Sequence, residues 1–260
     1  MKRVVFNQKG GVGKTSITCN LAAIDAASGY RTLVIDLDVQ GNTTLYLVGE
    51  IDAEAFPAEA QGVAGLFKQT VGPRRMRQNP DSFVWETPWE QLYLMPSSPA
   101  LAELERELES RYKIYKLRDA LGKLEDEYDR IYIDTPPNFN FFSKSALIAA
   151  DAVLVPFDCD SFARQSLYAL TENIAELRED HNPELVIEGI VINQFNAQAR
   201  LPAELVAELE EEGFPVLATY LNSSVKMRES HHTRRPLIDL APSHKLTAQY
   251  RALHAELEAG

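Results

Sequence analysis

An eight-residue segment near the amino terminus carries the residue types needed to hold a chain of phosphates. It reads Lys9, Gly10, Gly11, Val12, Gly13, Lys14, Thr15 and Ser16. Glycines let backbone N–H groups curl around an oxyanion, and a helix that begins there adds the partial positive charge of its amino end. Lys14 can reach the terminal phosphates, and the hydroxyl group of Thr15 can bind Mg²⁺. The segment therefore predicts a binding site for a polyphosphate and its magnesium ion.

Three carboxylates and one amide follow predicted strands further along the chain. Asp36 and Asp38 come directly after an apolar run, Asp134 ends a second run, and Asn193 ends a third. Ligands of open parallel sheets bind at the carboxyl ends of the strands. Asp134 has the placement of a carboxylate that a buried strand delivers to the water shell of a metal ion. For Asp36, either a metal-supporting role or capping of the following turn fits the sequence.

Alternating strand and helix patterns must position these groups. The predicted strands are Arg3–Asn7, Thr32–Ile35, Leu92–Met95, Arg130–Ile133, Ala152–Pro156, Val186–Asn193 and Val216–Tyr220. The predicted helices are Thr15–Ser28, Val63–Phe67, Pro99–Ser110, Lys116–Glu127, Gln165–Arg178, Pro202–Glu211 and Leu246–Ala259. Strands separated by helices predict a parallel sheet that is covered on both faces. We therefore expect an α/β fold, a single doubly wound, mostly parallel sheet with helices on both faces, in one domain over residues 1–260.

The pattern weakens between residues 50 and 90. Prolines interrupt it, and three arginines, Arg74, Arg75 and Arg77, lie close to Gly72. We interpret this stretch as a variable surface excursion of the same domain with one short helix. The arginines fit either a partner surface or an ordinary solvated loop.

The composition excludes several classes of protein. With 45% hydrophobic and 25% charged residues, the chain has the composition of a globular protein rather than a disordered one. Its formal net charge of −12 argues against a histone-like nucleic-acid binder, although a local basic patch is compatible with that charge. The two cysteines, Cys19 and Cys159, have no metal-site spacing. The sequence shows neither a signal peptide nor an apolar run that could span a membrane, so we expect a cytoplasmic protein.

The glycine segment departs from the standard Walker A loop at its beginning. Gln8 stands where that loop has its first glycine, and a second lysine, Lys9, follows it. This is the deviant pattern K-G-G-x-G-K-S/T. With its neighbours, FNQKGGVGKTS, the chain resembles the ParA/MinD family of P-loop ATPases. The resemblance covers nearly all of the chain and is faint between residues 50 and 90.

The resemblance implies that Lys9, Lys14 and Asp38 are the catalytic residues of an ATP hydrolase. Lys9 would reach across a dimer to the partner's nucleotide. The run from Asp36 to Asn42 is similar to the family's D-x-D-P-Q-G-N, with Val39 in place of proline. By this similarity Asp38 orients or activates the attacking water, and Asp36 supports Mg²⁺ through the ion's water shell.

Two further segments fit the resemblance, and a third departs from it. Asp134, Pro136 and Pro137 match the family's D-x-P-P, which implies a water-mediated magnesium contact for Asp134. Asn193 lies where related P-loop ATPases contact adenine with a polar residue at the end of a strand. The loop 220–224 lies where family members usually have I-P-R-N, and it lacks that Pro-Arg pair.

The resemblance indicates a positioning device more than a metabolic enzyme. It implies ATP and Mg²⁺ as cofactors, a homodimer held by ATP, and slow hydrolysis that a ParB-like or other cargo adaptor stimulates. Small ParA-type members bind DNA without sequence preference, which would place the protein on the nucleoid. The candidate DNA-binding residues here are Lys226, Arg228, Arg234, Arg235 and Lys245. An ordinary solvated charge run also fits these five residues.

Two other functions are weaker matches to the sequence. A MinD-like membrane ATPase ends in a basic amphipathic helix, whereas the last helix here has a polar side of mixed charge. Its apolar stripe is better explained by packing on the domain's own core. A metabolic P-loop enzyme of the nitrogenase reductase type needs cysteines near the Asp134 segment and the dimer seam, and neither Cys19 nor Cys159 has that placement.

Overall fold

The computed structural model describes most of the chain, namely residues 1–50, 61–72, 78–159, 163–196 and 200–259. The arginine group at 74, 75 and 77, and much of the expected surface excursion, lie outside the described residues.

The described residues form a seven-stranded sheet. Its strands are β1 (Lys2–Val5), β2 (Thr32–Asp36), β3 (Trp85–Glu86), β4 (Leu92–Met95), β5 (Arg130–Asp134), β6 (Ala152–Asp158) and β7 (Val186–Asn193). The strand order is β3-β4-β2-β5-β1-β6-β7, and β3 alone among these strands is antiparallel to its neighbour. The predicted fold class, a mostly parallel doubly wound sheet, is confirmed.

Helices cover both faces of this sheet. They are α1 (Lys14–Ala27), α2 (Asn42–Val48), α3 (Gly62–Val71), α4 (Leu101–Ser110), α5 (Lys116–Leu124), α6 (Phe141–Ala149), α7 (Ala163–Asp180), α8 (Arg200–Glu211), α9 (Val225–Thr233), α10 (Leu237–Leu240) and α11 (Lys245–Ala259). Successive strand residues enter different hydrophobic clusters: Val4 and Leu33 pack with α3 to α7, whereas Val5 and Val34 pack with α1 and α11. This alternation is the expected result of side chains that point to opposite faces of a pleated strand. None of the helices in the described ranges is long and apolar enough to cross a lipid bilayer.

The predicted strand at Val216–Tyr220 is wrong. The segment runs beside β7, but only isolated bridges join it to the sheet, at Ile190 with Val216 and at Phe195 with Asn222. The backbone N–H groups of Ala218 and Thr219 donate instead to the Glu256 carboxylate of α11, at 2.6 and 2.9 Å. A side chain from a distant helix thus takes the hydrogen bonds that a regular ladder would need.

Several elements were not evident from the sequence pattern. The helices α2, α6, α9 and α10 and the short strand β3 all lie in segments to which no element was assigned. The helix expected at Val63–Phe67 is present and longer, as α3. The carboxyl ends of β1, β2, β5 and β7 meet at one edge of the sheet, and this edge holds the glycine segment that runs from Lys9 to Ser16.

Candidate functional site

A cavity of about 730 Å³ opens at this edge of the sheet. It brings together most of the residues that the sequence singled out for nucleotide binding: Gly10, Gly11, Gly13, Lys14, Thr15, Ser16, Asp38 and Asn193. The lining also includes Gln194, Asn222 to Ser224, Met227, Leu246 and Tyr250. Such a concave site, lined by both polar and apolar side chains, suits a ligand that carries phosphates and a ring system.

The glycine segment is hydrogen-bonded to the last side chain of β7 and to the side chain that follows it. Gly11 and Gly13 adopt positive φ values of 78° and 93°, and a Cβ added at Gly13 would lie 2.1 Å from Nδ2 of Asn193. That same Nδ2 donates to the carbonyl oxygen of Val12 at 2.8 Å, and Gln194 Nε2 donates to the carbonyl oxygen of Gly11 at 2.7 Å. These two carbonyl oxygens are therefore hydrogen-bonded, whereas the first N–H groups of α1 have no acceptor within that helix and are available to a ligand.

Lys14 is almost fully buried, with 8% of its surface exposed. Its Nζ donates to the carbonyl oxygens of Asn7 and Lys9, each at 3.0 Å. Burial lowers the pKa of Lys14, although Asp134 and Asp38 act in the opposite direction. The ammonium group is therefore positioned by the loop before any ligand arrives, which reduces the entropy that binding must overcome.

Asp36 and Asp134 form a buried pair of carboxylates, since they are partners in the register of β2 and β5. Asp134 accepts hydrogen bonds from the hydroxyl groups of Thr15 and Thr43, both at 2.6 Å. Burial raises the pKa of Asp134, and burial together with the neighbouring Asp134 raises the pKa of Asp36. Two adjacent buried carboxylates are costly to ionise, and a divalent cation would offset that cost.

Asp36 also organises the loop that follows β2. Its Oδ2 accepts from the N–H and the hydroxyl of Thr44, at 2.8 and 2.7 Å, and its Oδ1 accepts from the N–H of Asp38 at 3.1 Å. The capping role that the sequence left open for Asp36 is therefore present in the structure. It does not exclude a metal-supporting role, because carboxylate oxygens accept more than one hydrogen bond.

Asp38 differs from Asp36 in its surroundings, because it is half-buried and lines the cavity. Its Oδ1 accepts from the N–H of Gln40 at 3.0 Å, and its carbonyl oxygen accepts from Ser97 Oγ at 2.5 Å. Gly41, at a φ of 63°, then starts α2. The side chain is thus fixed at the mouth of the cavity on a short, tightly hydrogen-bonded loop.

Lys9 contacts a carboxylate of its own chain. Its Nζ lies 2.8 and 2.7 Å from the two carboxylate oxygens of Asp158, at the end of β6. Both side chains are about one quarter exposed, at 29% for Lys9 and 25% for Asp158. Lys9 is not among the residues that line the cavity. Asp158 was not evident as a site residue, because nothing in the sequence near Lys9 indicates that β6 ends beside it.

The five cations expected to form one basic surface are not equivalent. Arg228 lines the cavity. Lys226 is paired with Glu229, Arg234 with Glu50 at 3.3 Å, and Arg235 with Asp239 at 2.7 Å. Lys245 is exposed at the start of α11. The structure therefore separates Arg228 from the other four candidates.

Two aromatic residues also line the cavity without having been predicted. His231 of α9 lies 2.9 Å from Ser16, between Nε2 and Oγ, and its ring centre lies 4.9 Å from that of Tyr46. Burial lowers the pKa of His231, which favours the neutral imidazole. No local motif marked either residue, because the contacts join α1, α2 and α9 across more than 180 positions.

Comparison with known proteins assigns the chain to a family. A family model described as an AAA domain matches residues 2–187, and the chromosome partitioning protein ParA of Myxococcus xanthus is 32% identical over 259 residues, covering 97% of this chain and 86% of that protein. The chain belongs to the ParA/MinD family of P-loop ATPases. Another ParA/MinD relative, the sporulation initiation inhibitor protein Soj of Bacillus subtilis, is 29% identical, covering 98% of this chain and 97% of that one.

Solved structures support the ParA/MinD fold. The ATP complex of a single-residue variant of Cyanothece McdA superposes with a TM-score of 0.85 at 22% identity, covering 99% of this chain and 96% of that one. The cobyrinic acid a,c-diamide synthase of Mycobacterium smegmatis, with bound ADP and magnesium, gives a TM-score of 0.81 at 25% identity, over 98% and 92% of the chains.

Proposed function

We propose that this protein is a Mg²⁺-ATP-dependent ATPase that forms a homodimer on ATP and positions or segregates a cargo. One observation carries the proposal: a single cavity joins the phosphate-binding loop, the preset ammonium of Lys14 and the carboxylate of Asp38, next to a buried pair of aspartates. The relative above that is named for chromosome partitioning, ParA of Myxococcus xanthus, favours this function over a metabolic one. The cargo would be a plasmid, a chromosome region or a protein assembly.

Each residue has a part in the proposed reaction. Thr15, Asp36 and Asp134 supply the oxygen groups that suit Mg²⁺, with the two aspartates acting through its water shell; the ion would neutralise charge on the phosphates. Lys14 and the N–H groups of the glycine segment, from Lys9 to Ser16, hold the phosphates. Asp38 orients the attacking water. Asn193, which is hydrogen-bonded to Val12 of the glycine segment, also lines the cavity, as do Asn222 to Ser224 of the loop 220–224. We place the adenine beside these residues.

The proposed dimer requires Lys9 to leave Asp158. We expect Asp158→Ala to lower the analogue concentration needed for half-maximal dimerisation about fivefold, because a partly exposed ion pair of this kind is worth at most about 1 kcal/mol and the free monomer would lose it. Light scattering after size exclusion, with a non-hydrolysable ATP analogue, measures this. Asp119→Ala, which breaks an exposed pair with Lys116, is the control. An unchanged or higher analogue requirement would show that the contact with Asp158 does not compete with dimerisation.

We also propose that the ATP-bound dimer binds duplex DNA without sequence preference, through Lys226, Arg234, Arg235 and Lys245. Three of these cations already have carboxylate partners, and the chain carries a net charge of −12. Phosphate contacts must therefore displace those carboxylates, so we expect weak binding that falls steeply with salt. Such binding would hold the protein on the nucleoid until a cargo-borne, ParB-like adaptor stimulates hydrolysis.

Fluorescence anisotropy with a random-sequence duplex tests the DNA proposal. We expect binding with ATP that is lost with ADP or without nucleotide, and a loss of about tenfold or more in affinity for the double variant Arg234→Ala, Arg235→Ala at low salt. The control is Arg111→Ala, an exposed arginine paired with Glu107 on α4. If the double variant and Arg111→Ala changed DNA affinity equally, or if the protein bound no DNA in any nucleotide state, the proposed DNA surface would be wrong. The proposed ATPase activity would still stand.

The membrane alternative has less support from the structure. The stripe on α11, formed by Leu246, Tyr250, Leu253 and Leu257, is at most 8% exposed and packs on the domain's own core, as the sequence predicted. It is therefore not available to a lipid surface. ATP-dependent sedimentation with vesicles of anionic lipid would contradict this conclusion.

A further inference from the structure

One face of α9 forms a wall of the cavity. Ser224, at the start of the helix, and Met227, Arg228 and His231 all line it, and their spacing of three and four residues places them on the same side of a helix. Lys226 and Glu229, which do not line the cavity, pair with each other. The face carrying these four lining residues, which we call the α9 face, thus presents one cation and one imidazole to the ligand.

The α9 face is fixed to the phosphate end of the cavity. His231 Nε2 lies 2.9 Å from Oγ of Ser16, which belongs to the first turn of α1. The ring of His231 meets that of Tyr46 of α2 edge-on, and the hydroxyl of Tyr46 is hydrogen-bonded to Ser230. Arg228 lies three residues before His231 on the same face. It is therefore carried on a helix that is anchored to both the phosphate-binding helix and the helix that follows Asp38.

Arg228 differs from the neighbouring cations in its ion pairing. Lys226, Arg234 and Arg235 are each paired with a carboxylate, whereas Arg228 has no ion pair within the ranges that the structure describes. Arg228 is exposed and lies at the wall of the cavity. Lys14, the other cation of the lining set, is buried and already donates to two carbonyl oxygens. A guanidinium in this position suits a phosphate, which it can contact through two parallel hydrogen bonds.

We propose that Arg228 is a nucleotide-binding residue, which contacts phosphate oxygens of the bound nucleotide from the side of Ser16, and that His231 positions α9 for this contact. The inference rests on the proposed ATPase function. It moves Arg228 from the DNA-binding surface, where the sequence placed it, to the nucleotide site. ADP and ATP have the α- and β-phosphates in common, so the protein's affinity for both nucleotides should fall when Arg228 is replaced.

Calorimetric titration of the full chain with Mg²⁺-ADP and with Mg²⁺ and a non-hydrolysable ATP analogue tests the inference. We expect Arg228→Ala to weaken both affinities about tenfold, and Arg228→Lys about threefold, since lysine keeps the charge without the paired contact. Arg111→Ala, which removes an exposed arginine that does not line the cavity, should change them less than twofold. For His231, we expect His231→Leu to weaken binding and His231→Gln, which can still bond Ser16, to restore most of it.

The outcomes separate the inference from the proposed function. If the wild-type protein binds both nucleotides and Arg228→Ala binds them equally well, the inference fails and the ATPase proposal stands. Equal losses for Arg228→Ala and Arg111→Ala would mean that only the net surface charge matters, and would also overturn the inference. If Arg228→Ala keeps nucleotide affinity but loses DNA affinity, Arg228 belongs to the DNA surface. Absence of nucleotide binding by the wild-type protein would overturn both.

Discussion

Replacing Lys14 by alanine is expected to abolish ATP binding and, with it, ATP-dependent dimerisation. The ammonium group is the buried cation of the phosphate-binding loop, and its position is set by two carbonyl oxygens at 3.0 Å. In a desolvated site, a charge-assisted contact of this kind to a phosphate is worth several times its value in water. We expect the Kd for a non-hydrolysable ATP analogue to rise about a hundredfold or more, as measured by calorimetry.

The substitution also leaves the carbonyl oxygens of Asn7 and Lys9 without their donor, so loss of binding must be separated from loss of structure. Lys14→Gln keeps an N–H donor, on a side chain one atom shorter, and removes the charge. If the Lys14→Gln protein unfolds at the wild-type temperature and still fails to bind the ATP analogue, the loss of binding comes from the lysine side chain's role in the site and not from loss of structure. Wild-type affinity in Lys14→Gln would show that the lysine has a structural role alone, and the assignment of the phosphate end would have to be abandoned.

The phosphate end could be predicted from sequence because its determinants are local. The glycines, Lys14 and Thr15 are adjacent in the chain, and the strand before them and the helix after them have clear periodicity. Asp36, Asp38 and Asp134 could be predicted for a related reason. Each follows a buried strand, and parallel strands end at the same edge of the sheet, which is where β2 and β5 place them.

The rest of the site could not be predicted because it depends on contacts between distant segments. Asp158 meets Lys9 across 149 positions and His231 meets Ser16 across 215, and no spacing rule connects such pairs. The wrong strand at Val216–Tyr220 has the same origin, since Glu256 of α11 takes its backbone hydrogen bonds. Arg228 was likewise grouped with the other cations because they are close in sequence. On α9, however, Arg228 lies on the side that faces the cavity, and Lys226 does not.

Asp38 and Asp36 lie two residues apart, yet we expect opposite consequences when each is replaced by alanine. Asp38→Ala should leave a protein that dimerises on ATP but hydrolyses it about 10²–10³-fold more slowly, the usual loss when a group that handles the attacking water is removed. Its stability should be close to that of the wild-type protein, because the side chain is half-buried and accepts one backbone hydrogen bond from Gln40. Phosphate release and light scattering measure the two properties.

Asp36→Ala is the matched variant, because it removes the same group two residues earlier, at the end of β2. Here three donors, the N–H and hydroxyl of Thr44 and the N–H of Asp38, lose their acceptor at a fully buried position. Unpaired buried donors cost about 1–3 kcal/mol each, so the free energy of unfolding should fall markedly in chemical denaturation. A fast-hydrolysing Asp38→Ala protein would show that another residue handles the water. A stable Asp36→Ala protein that had lost only hydrolysis would reverse the two assignments, since the buried carboxylate would then act in the reaction and the half-buried one in the loop.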